Sequence, residues 1–550
     1  MKSVMNHSFA RVPNIEMQRS VFDRSHGHKT TINADYLYPI FVDEALPGDT
    51  FHLNASMLCR MATPIAPIMD NIFLDTFYFA VPERRLWDNW EHFMGEKDNP
   101  EDETSYVMPV MEGTLSEGSL GDYLGLPMPT SISVTVLEEH NIRADYFRAY
   151  NLIWSEFFRD QNIMAKPVID RTDGPDDLAD YPLRKRCKKH DYFTSCLPWP
   201  QRGEAVYLPL SGTAPVIGNG TSLGFYNGTT GNQNFGLSVD NGSSNARVYT
   251  SVYGDPVGSG DNTGAAVGNY SLGVTKDPLK SGLVADLTAS TAATINSLRE
   301  AFQLQKYMER LARSGSRYTE IIKGFFGVTN PDFRLQRPEY LGGSSTRINI
   351  SAVQQNAPAT DDPDLNATTP LGTLGAYSVT SGRTGFSKSF TEHMVIIGLV
   401  NIRADLTYSQ GLNKMWTRQR KEDFYWPPFA HLGEQAVTRG EIFWIDNQTQ
   451  NDLVFGYQER YAEYRYKPSM LTGRFRMNAT TNLDIWHVSE KFENAPELNA
   501  DFMFSNTPID RVLAVSDNPW SDQFILDIYN DYKCARPMPV FSVPGLIDHF

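Results

Sequence analysis

Cysteine is scarce: four residues in 550, Cys59, Cys187, Cys196 and Cys534, none in a CxxC pair. No paired-Cys zinc pattern exists, and so few thiols in so long a chain point to a reducing compartment in which they stay inert. Positive charge is also short, with 49 Lys and Arg against 65 Asp and Glu, a net charge of −16. That excludes a protein whose whole purpose is nucleic-acid affinity, because phosphate binding is driven by Lys and Arg displacing counterions; any such contact must be local. Long apolar runs are missing as well. The longest, Met394 to Val400, falls far short of the roughly 18 residues of a membrane span. The opening MKSVMNHSFARVPN has no apolar run of a signal peptide, so a soluble intracellular product is expected. HExxH, GxSxG and EF-hand patterns are absent, and with them any sequence reason to assign a catalytic residue, a metal ligand or a cofactor.

What the chain does have is aromatic side chains, 31 Phe, 26 Tyr and 9 Trp, punctuated by 40 Gly and 33 Pro. Many short punctuated segments fit an all-β sandwich, and no charged linker divides the chain, so one core with long insertions is expected instead of several domains. Phe51, Leu53, Ala55 and Met57 alternate as a strand after the Pro47-Gly48-Asp49 turn; Ile72 to Ala80 and Met394 to Ile402 are apolar on both faces and read as strands buried on both sides. Ile132, Val134 and Val136 mark a strand, as does the alternation from Arg347 to Val353. Leu86, Trp87, Trp90 and Phe93 cluster as aromatic core or subunit interface.

Two helices stand out. Residues 138–160 carry Ile142, Tyr146, Ala149, Ile153 and Phe157 at helical spacing, and so do Ile295, Leu298, Phe302 and Met308, with a shorter turn at Tyr318 to Lys323. The stretch from Thr294 to Arg347 holds nine Lys or Arg against five Asp or Glu, a basic island in an acidic chain. Within it, Arg310 and Arg313 occupy the last turn of the helix, favourable for its dipole.

Other basic residues cluster too. Arg184, Lys185, Arg186, Lys188 and Lys189 form a stretch read as a solvated basic loop or a phosphate contact. Trp416, Arg418 and Arg420, then Tyr464, Arg465, Tyr466, Lys467, Arg474 and Arg476, interleave cations with rings. Such mixtures suit single-stranded nucleic acid and equally a packed subunit interface. His26 and His28 lack a neighbouring carboxylate or Cys to complete a metal site. Ser211 to Thr275 holds 14 Gly and only four charged residues, with Asn-Gly pairs at 219, 227 and 241, which predicts a turn-rich surface excursion. Gly258 to Gly264 misses the dinucleotide spacing, and Gly382 to Ser389 lacks the adjacent Gly-Lys of a phosphate loop.

ATINSLREAFQLQKYMERLARSGSRYTEIIKGFFGV followed by RLQRPEYLGG resembles the signature of the major capsid proteins of the Microviridae, the small icosahedral single-stranded DNA bacteriophages, in their gokushovirus branch. RSVFDRSHGHKTT, VDEALPGDTF, ATPIAPIMDNIFLDTFYFAVP with WDNWE, DYFTSCLPWPQRG, FGYQERYAEYRYKPSMLTGRFR with LDIWH, and RPMP with VPGLIDHF extend the resemblance. It implies an eight-stranded jelly-roll β-sandwich with long inter-strand insertions containing a few α-helices, assembled as a T=1 shell. On that frame, residues 1–210 hold an N-terminal arm and the first part of the jelly roll. Residues 211–280 form a variable surface insertion at the threefold axes, and 281–550 hold a helical insertion, the second part of the jelly roll and a C-terminal arm. The implied partners are further copies of the chain, a circular single-stranded DNA genome, a small basic DNA-binding protein, an internal scaffolding protein, a DNA pilot protein and a host-cell surface receptor. The implied location is the virion, assembled in the bacterial cytoplasm. The alternative from another class is a secreted or surface β-sandwich that binds or degrades polysaccharide.

Overall fold

The computed structural model describes residues 18–99, 101–127, 135–136, 140–204, 206, 216–218, 225–226, 273–274, 283–285, 295–315, 317–329, 331, 336–356, 372–514 and 522–541. It divides into two compact units, Met1–Arg202 with Glu309–Phe550, and Gly203–Met308.

The first unit is built on eight long strands: β1 His26–Ile32, β2 Tyr38–Ala45, β3 Thr50–Met61, β4 Ile72–Pro82, β5 Glu339–Arg347, β6 Leu374–Ser389, β7 Met394–Ala404 and β8 Phe524–Arg536. They pair antiparallel in two sheets, ordered β1-β8-β3-β6 and β5-β4-β7-β2. This is jelly-roll connectivity: successive strands cross between sheets, except β4 and β5, which pair within one, and the last lies between the first and third. Ser20–Asp23 extends the first sheet along the far half of β8, and Ile350–Gln354 pairs with the start of β6. The single strand expected at Arg347 to Val353 is thus the end of β5, a two-residue break and this short strand.

Alternation decides what each face meets. On β3, Phe51, Leu53, Ala55, Met57, Cys59 and Met61 are buried while His52, Asn54, Ser56, Leu58 and Arg60 are exposed. The buried set joins Leu74, Tyr78, Ile396, Ile402, Leu526 and Tyr532 between the sheets. Every residue of β7 is buried, because its other face, with that of β4, lies under an insertion layer. There Phe79, Val81, Val395, Ile397 and Leu399 pack on Phe147, Tyr150, Ile153, Phe193 and Phe455. The outer face of the first sheet stays bare, with Leu58, Ile525 and Tyr529 about half exposed. Where β3, β5 and β6 converge, a Cβ at Gly385 would sit 2.0 Å from the Leu53 carbonyl oxygen, and one at Gly343 2.1 Å from that of Thr76. Only glycine permits this approach. The segment Gly382–Ser389 that superficially suggested a phosphate loop is the second half of strand β6, paired with β3.

The insertion layer comes from two long connections, β4 to β5 and β7 to β8. Its helix α1 spans Asp145–Ile153 and widens into a π-helical turn at Trp154–Phe158. It starts later than its periodicity predicts because Arg143 is held extended in a bridge to Val110 and Asn141 has φ of 51°. Trp87 is buried and donates to Asp173 at 2.7 Å. Helices α2, Ile295–Ser314, and α3, Tyr318–Phe326, follow, the latter stopped by Gly327 at φ 71°. Of the strand expected at Ile132 to Val136, only Thr135–Val136 is described, paired with Thr114–Leu115. In the second unit, Val216–Gly218 pairs with Leu283–Ala285 and Phe225–Tyr226 with Gly273–Val274. The rest of 211–280, and residues 542–550 of the C-terminal arm, lie outside the described residues, as does the glycine run Gly258 to Gly264. All four cysteines are free thiols. Among the described residues no helix is long and apolar enough to cross a membrane.

Two buried ionic clusters fasten the layer down. Arg148, fully buried on α1, pairs with Asp176 at 2.5 Å and donates to the Leu86 and Thr172 carbonyls, while the Tyr181 hydroxyl donates to the same carboxylate. At the layer's edge the Arg143 guanidinium spans Glu83, at the end of β4, and Asp145, at the start of α1. Burial, reinforced by the neighbouring Asp145 carboxylate, pushes Glu83 up to about 9. Asp145 is also raised, by burial.

Replacing Arg148 with Met strands the Asp176 charge and should cost about 3–5 kcal/mol, measured as a lower denaturant midpoint of the full chain. Glu83 binds its proton more tightly folded than unfolded. Its stabilisation is therefore complete below the ordinary carboxylate pKa and is lost as pH rises toward about 9. Denaturation midpoints should fall across that window, and Glu83→Gln should flatten the fall.

Candidate functional site

The stretch from Arg184 to Lys189 is extended and zipped between neighbours. The Arg186 amide donates to the Asp35 carbonyl and the Lys188 amide to that of Met503, both at 2.8 Å. Its cations are mostly occupied. The Arg184 guanidinium lies 4.9 Å over Trp154 and donates to Asn151; the Lys185 ammonium lies 5.3 Å over Tyr36. Arg186 pairs with Asp75 at 2.6 Å and stacks on Phe77, and Lys188, fully buried, pairs with Glu490 at 2.6 Å above the Phe502 ring. The reading of a solvated basic loop is therefore corrected: the segment is a half-buried tie between the insertion layer and the jelly roll, with only Lys188 fully enclosed. Burial holds the Arg184 and Arg186 guanidiniums below their usual pKa. Lys189, in contrast, is exposed and forms no ion pair among the described residues.

At the end of α2, Arg310 donates to the Gly324 carbonyl at 2.8 Å and lies over Phe325, clamping α2 to α3. Arg313 pairs with Glu434 and donates to Gln458. The carboxylate that Arg313 meets belongs to its own chain.

The interleaved segments mix withdrawn and exposed side chains of both kinds. The Arg418 guanidinium is sandwiched 4.0 Å from the Tyr464 ring and 3.1 Å from Glu463, with 11% of its side chain exposed. Arg465 pairs with Glu459, Tyr466 stacks on Tyr192 at 5.6 Å, and Arg474 donates to the Thr481 carbonyl. Arg420, Lys467 and Arg476 are exposed. The rings turn outward: Trp416 is 72% exposed, and Phe424, Tyr425, Trp426 and Tyr464 about half. Tyr425 lies 5.4 Å from the buried Tyr461 and 6.5 Å from Tyr464, and the Arg418 guanidinium lies over both Tyr464 and Phe424, so Phe424, Tyr425 and Tyr464 are neighbours. His26, by contrast, bonds the Arg24 carbonyl and Asn530 and stacks on Phe41. No group of three or more His, Cys, Asp or Glu able to hold a metal occurs among the described residues.

Beside this tie lies a cavity of about 1010 Å³. Its floor is Phe77 and Phe79 of β4 and Tyr340 of β5, and its walls include Phe157, Arg159, Lys189 and Arg317. A smaller cavity of about 250 Å³ continues on the other side of Lys189, reaching Tyr466 and Lys467. The fold thus brings together residues from the stretches at 184–189, 310–313 and 464–467. It adds Arg159, which no spacing singled out; its only sequence mark is the preceding Phe157-Phe158 pair at a helix end.

A family described as Capsid protein (F protein) matches residues 10–546. The chain is 43% identical over 555 residues to "Capsid protein VP1" of Bdellovibrio phage phiMH2K, covering 99% of this chain and 98% of that protein. It is 44% identical over 603 residues to "Capsid protein VP1" of Chlamydia phage 1, with 99% and 98% covered. A third relative, "Capsid protein VP1" of Spiroplasma virus 4, is 32% identical over 566 residues, with 98% and 97% covered. Two jelly-roll sheets and full-length likeness to these proteins meet in one conclusion: the chain belongs to the Capsid protein (F protein) family, a structural component of the virion, as its resemblance to gokushovirus major capsid proteins implied.

Proposed function

We propose that this chain closes with identical copies into a T=1 icosahedral shell around a circular single-stranded DNA genome, and that the Trp416, Phe424, Tyr425, Trp426 and Tyr464 surface is one of its subunit contacts. The observation that carries the interface is the exposure of these five rings beside an Arg418 already withdrawn onto Glu463 and Tyr464. Arg418 is already consumed by Glu463 and Tyr464, so the exposed rings offer stacking area of the kind enriched in an interface core. A closed shell needs such heterologous contacts around its axes.

The net charge of −16 sets the division of labour. Each nucleotide brings about one negative charge, so these subunits do not neutralise a genome. A small basic DNA-binding protein supplies that charge, with an internal scaffolding protein and a DNA pilot protein as further assembly partners in the bacterial cytoplasm. Residues 211–280, rich in glycine and poor in charge, are the segment proposed to project at the threefold axes and meet a host-cell receptor.

Electron microscopy of the purified full chain is expected to show uniform icosahedral particles; monomers that cleave polysaccharide would overturn the shell. The Trp416→Ala, Trp426→Ala double variant should stay folded by circular dichroism yet lose particles, whereas normal particles lacking DNA would move this surface to the genome. Arg313→Glu sets two carboxylates against each other and should cost about 3–5 kcal/mol, read as a lower unfolding midpoint and reduced particle yield. Empty shells of this protein alone should bind single-stranded DNA only weakly at physiological salt.

A further inference from the structure

The exposed rings of the β7–β8 connection stand on a fixed base. The Trp426 indole donates to the Lys421 carbonyl and the Tyr461 hydroxyl to that of Glu422, both at 2.9 Å, so the short turn bearing Arg420 and Lys421 is tied to the ring group. Tyr461 is buried at φ 61°, a left-handed conformation that a tyrosine keeps only when its surroundings hold it there. Arg420 is exposed, and Lys421 leaves 79% of its side chain in solvent. The acidic members of the turn are turned inward or shared: Asp423 accepts the Gln419 and Arg420 amides at 3.0 and 2.9 Å, and Glu422 lies 3.8 Å from Lys421. Residues 414–426 and 460–476, which build this face, hold nine Lys or Arg against three Asp or Glu. Even with Lys414, Arg418 and Arg465 paired to Glu441, Glu463 and Glu459, the excess stays positive. Rings with surplus cations suit an acidic partner that has apolar flanks.

The same chain carries such a surface on its β4–β5 connection. Of residues 96–103, five are Asp or Glu and one is Lys97, and Glu96, Asp98, Glu101 and Glu103 are exposed. The loop is closed on itself, since Asp102 accepts the Asp98 and Asn99 amides at 3.0 and 2.7 Å. Its base rests on rings: Trp87, which is buried, lies 5.4 Å from Phe93 and 6.4 Å from Tyr106. On either side of the acidic run, Met94 is 48% and Val107 77% exposed. Carboxylates between two bare apolar residues are the complement of rings beside bare cations.

Resting on the reading that the ring surface is a subunit contact, we propose that its occupant is the acidic 96–103 loop of a second copy of this chain, with Glu101 and Glu103 toward Arg420 and Lys421 and with Met94 and Val107 on the rings. The contact is heterologous, because the two surfaces lie on different connections of one subunit. Each copy offers a ring face to one neighbour and a loop to the next, the repeat that closes around an axis. A second copy satisfies both surfaces at once, whereas a nucleic-acid strand suits only the ring face and a small basic protein only the loop.

The test is a charge swap in the full chain, read as particle yield by sedimentation and electron microscopy, with folding followed by circular dichroism. Glu101→Lys with Glu103→Lys, and separately Arg420→Glu with Lys421→Glu, should each lower particle yield about tenfold at physiological salt, because like charges then face each other. All four substitutions together should restore most of the yield. Loop variants that assemble at wild-type yield, or a folded fourfold variant that stays unassembled, would overturn the pairing. Normal particles depleted of a small basic protein in the loop variants, or of DNA in the Arg420 and Lys421 variants, would also overturn it and reassign that surface. Where the fourfold variant fails to fold, Glu101→Cys with Lys421→Cys decides: oxidised particles should run as covalent multimers on a non-reducing gel, and monomers alone sink the proposal. Should the Trp416→Ala, Trp426→Ala variant lose particles while the loop variants keep them, the ring surface stays a subunit contact and only its pairing with the loop fails.

Discussion

A single buried carboxylate joins the two halves of this structure. Asp75, in the middle of β4 and 4% exposed, faces the insertion layer and accepts from Arg403 of β7 at 2.7 Å, Arg186 of the basic tie at 2.6 Å and the Ser345 hydroxyl of β5 at 2.5 Å. Burial opposes its charge, but the Ser345 hydroxyl and the Arg186 guanidinium hold it below the usual carboxylate range. A charge this deep is tolerated only when its lone pairs are satisfied from several sides, and a network of that kind loses more than one bond when one member goes. Three strands and the insertion layer therefore meet at one point. The position of Arg186 also sets those of Lys188 and Lys189, and so the partition between the two cavities.

The two sheets have opposite fates because of what covers them. The β5-β4-β7-β2 sheet is sealed on both faces along its central strands β4 and β7, which makes them a floor for long, irregular connections. The other sheet keeps a bare face with alternating polar residues, as an antiparallel sheet can. On the insertion layer itself, a group of rings is presented, and Arg418 among them is withdrawn onto Glu463. That arrangement suits a subunit that must find copies of itself through desolvated aromatic contacts without gripping nucleic acid indiscriminately.

Acidity across the chain and a few unpaired cations inside one layer are two sides of the same design. An acidic surface repels stray nucleic acid, while a cation withheld from an internal partner is left to meet a group outside the chain. Counting lysines and arginines along the sequence could not separate these cases. Arg186, Lys188 and Lys189 are near neighbours in one basic run, yet two are spent on Asp75 and Glu490 while the third forms no ion pair among the described residues.

The alternation of β3, the two-sided apolar character of β4 and β7, the helical spacing of α2 and the punctuation by glycine and proline were legible because they depend on neighbours two to four residues away. The boundaries that moved, at α1 and in the split after β5, did so where distant backbone claimed the hydrogen bonds, as Val110 does at Arg143. For the candidate site, the sequence by itself determined which residues carry charge and which carry rings. Only the tertiary structure decided which charges were already neutralised, since the partners of Arg186, Arg313 and Lys188 lie at Asp75, Glu434 and Glu490, more than a hundred residues away. Electrostatic pairing acts over a few ångströms of space, and no spacing along the chain encodes it.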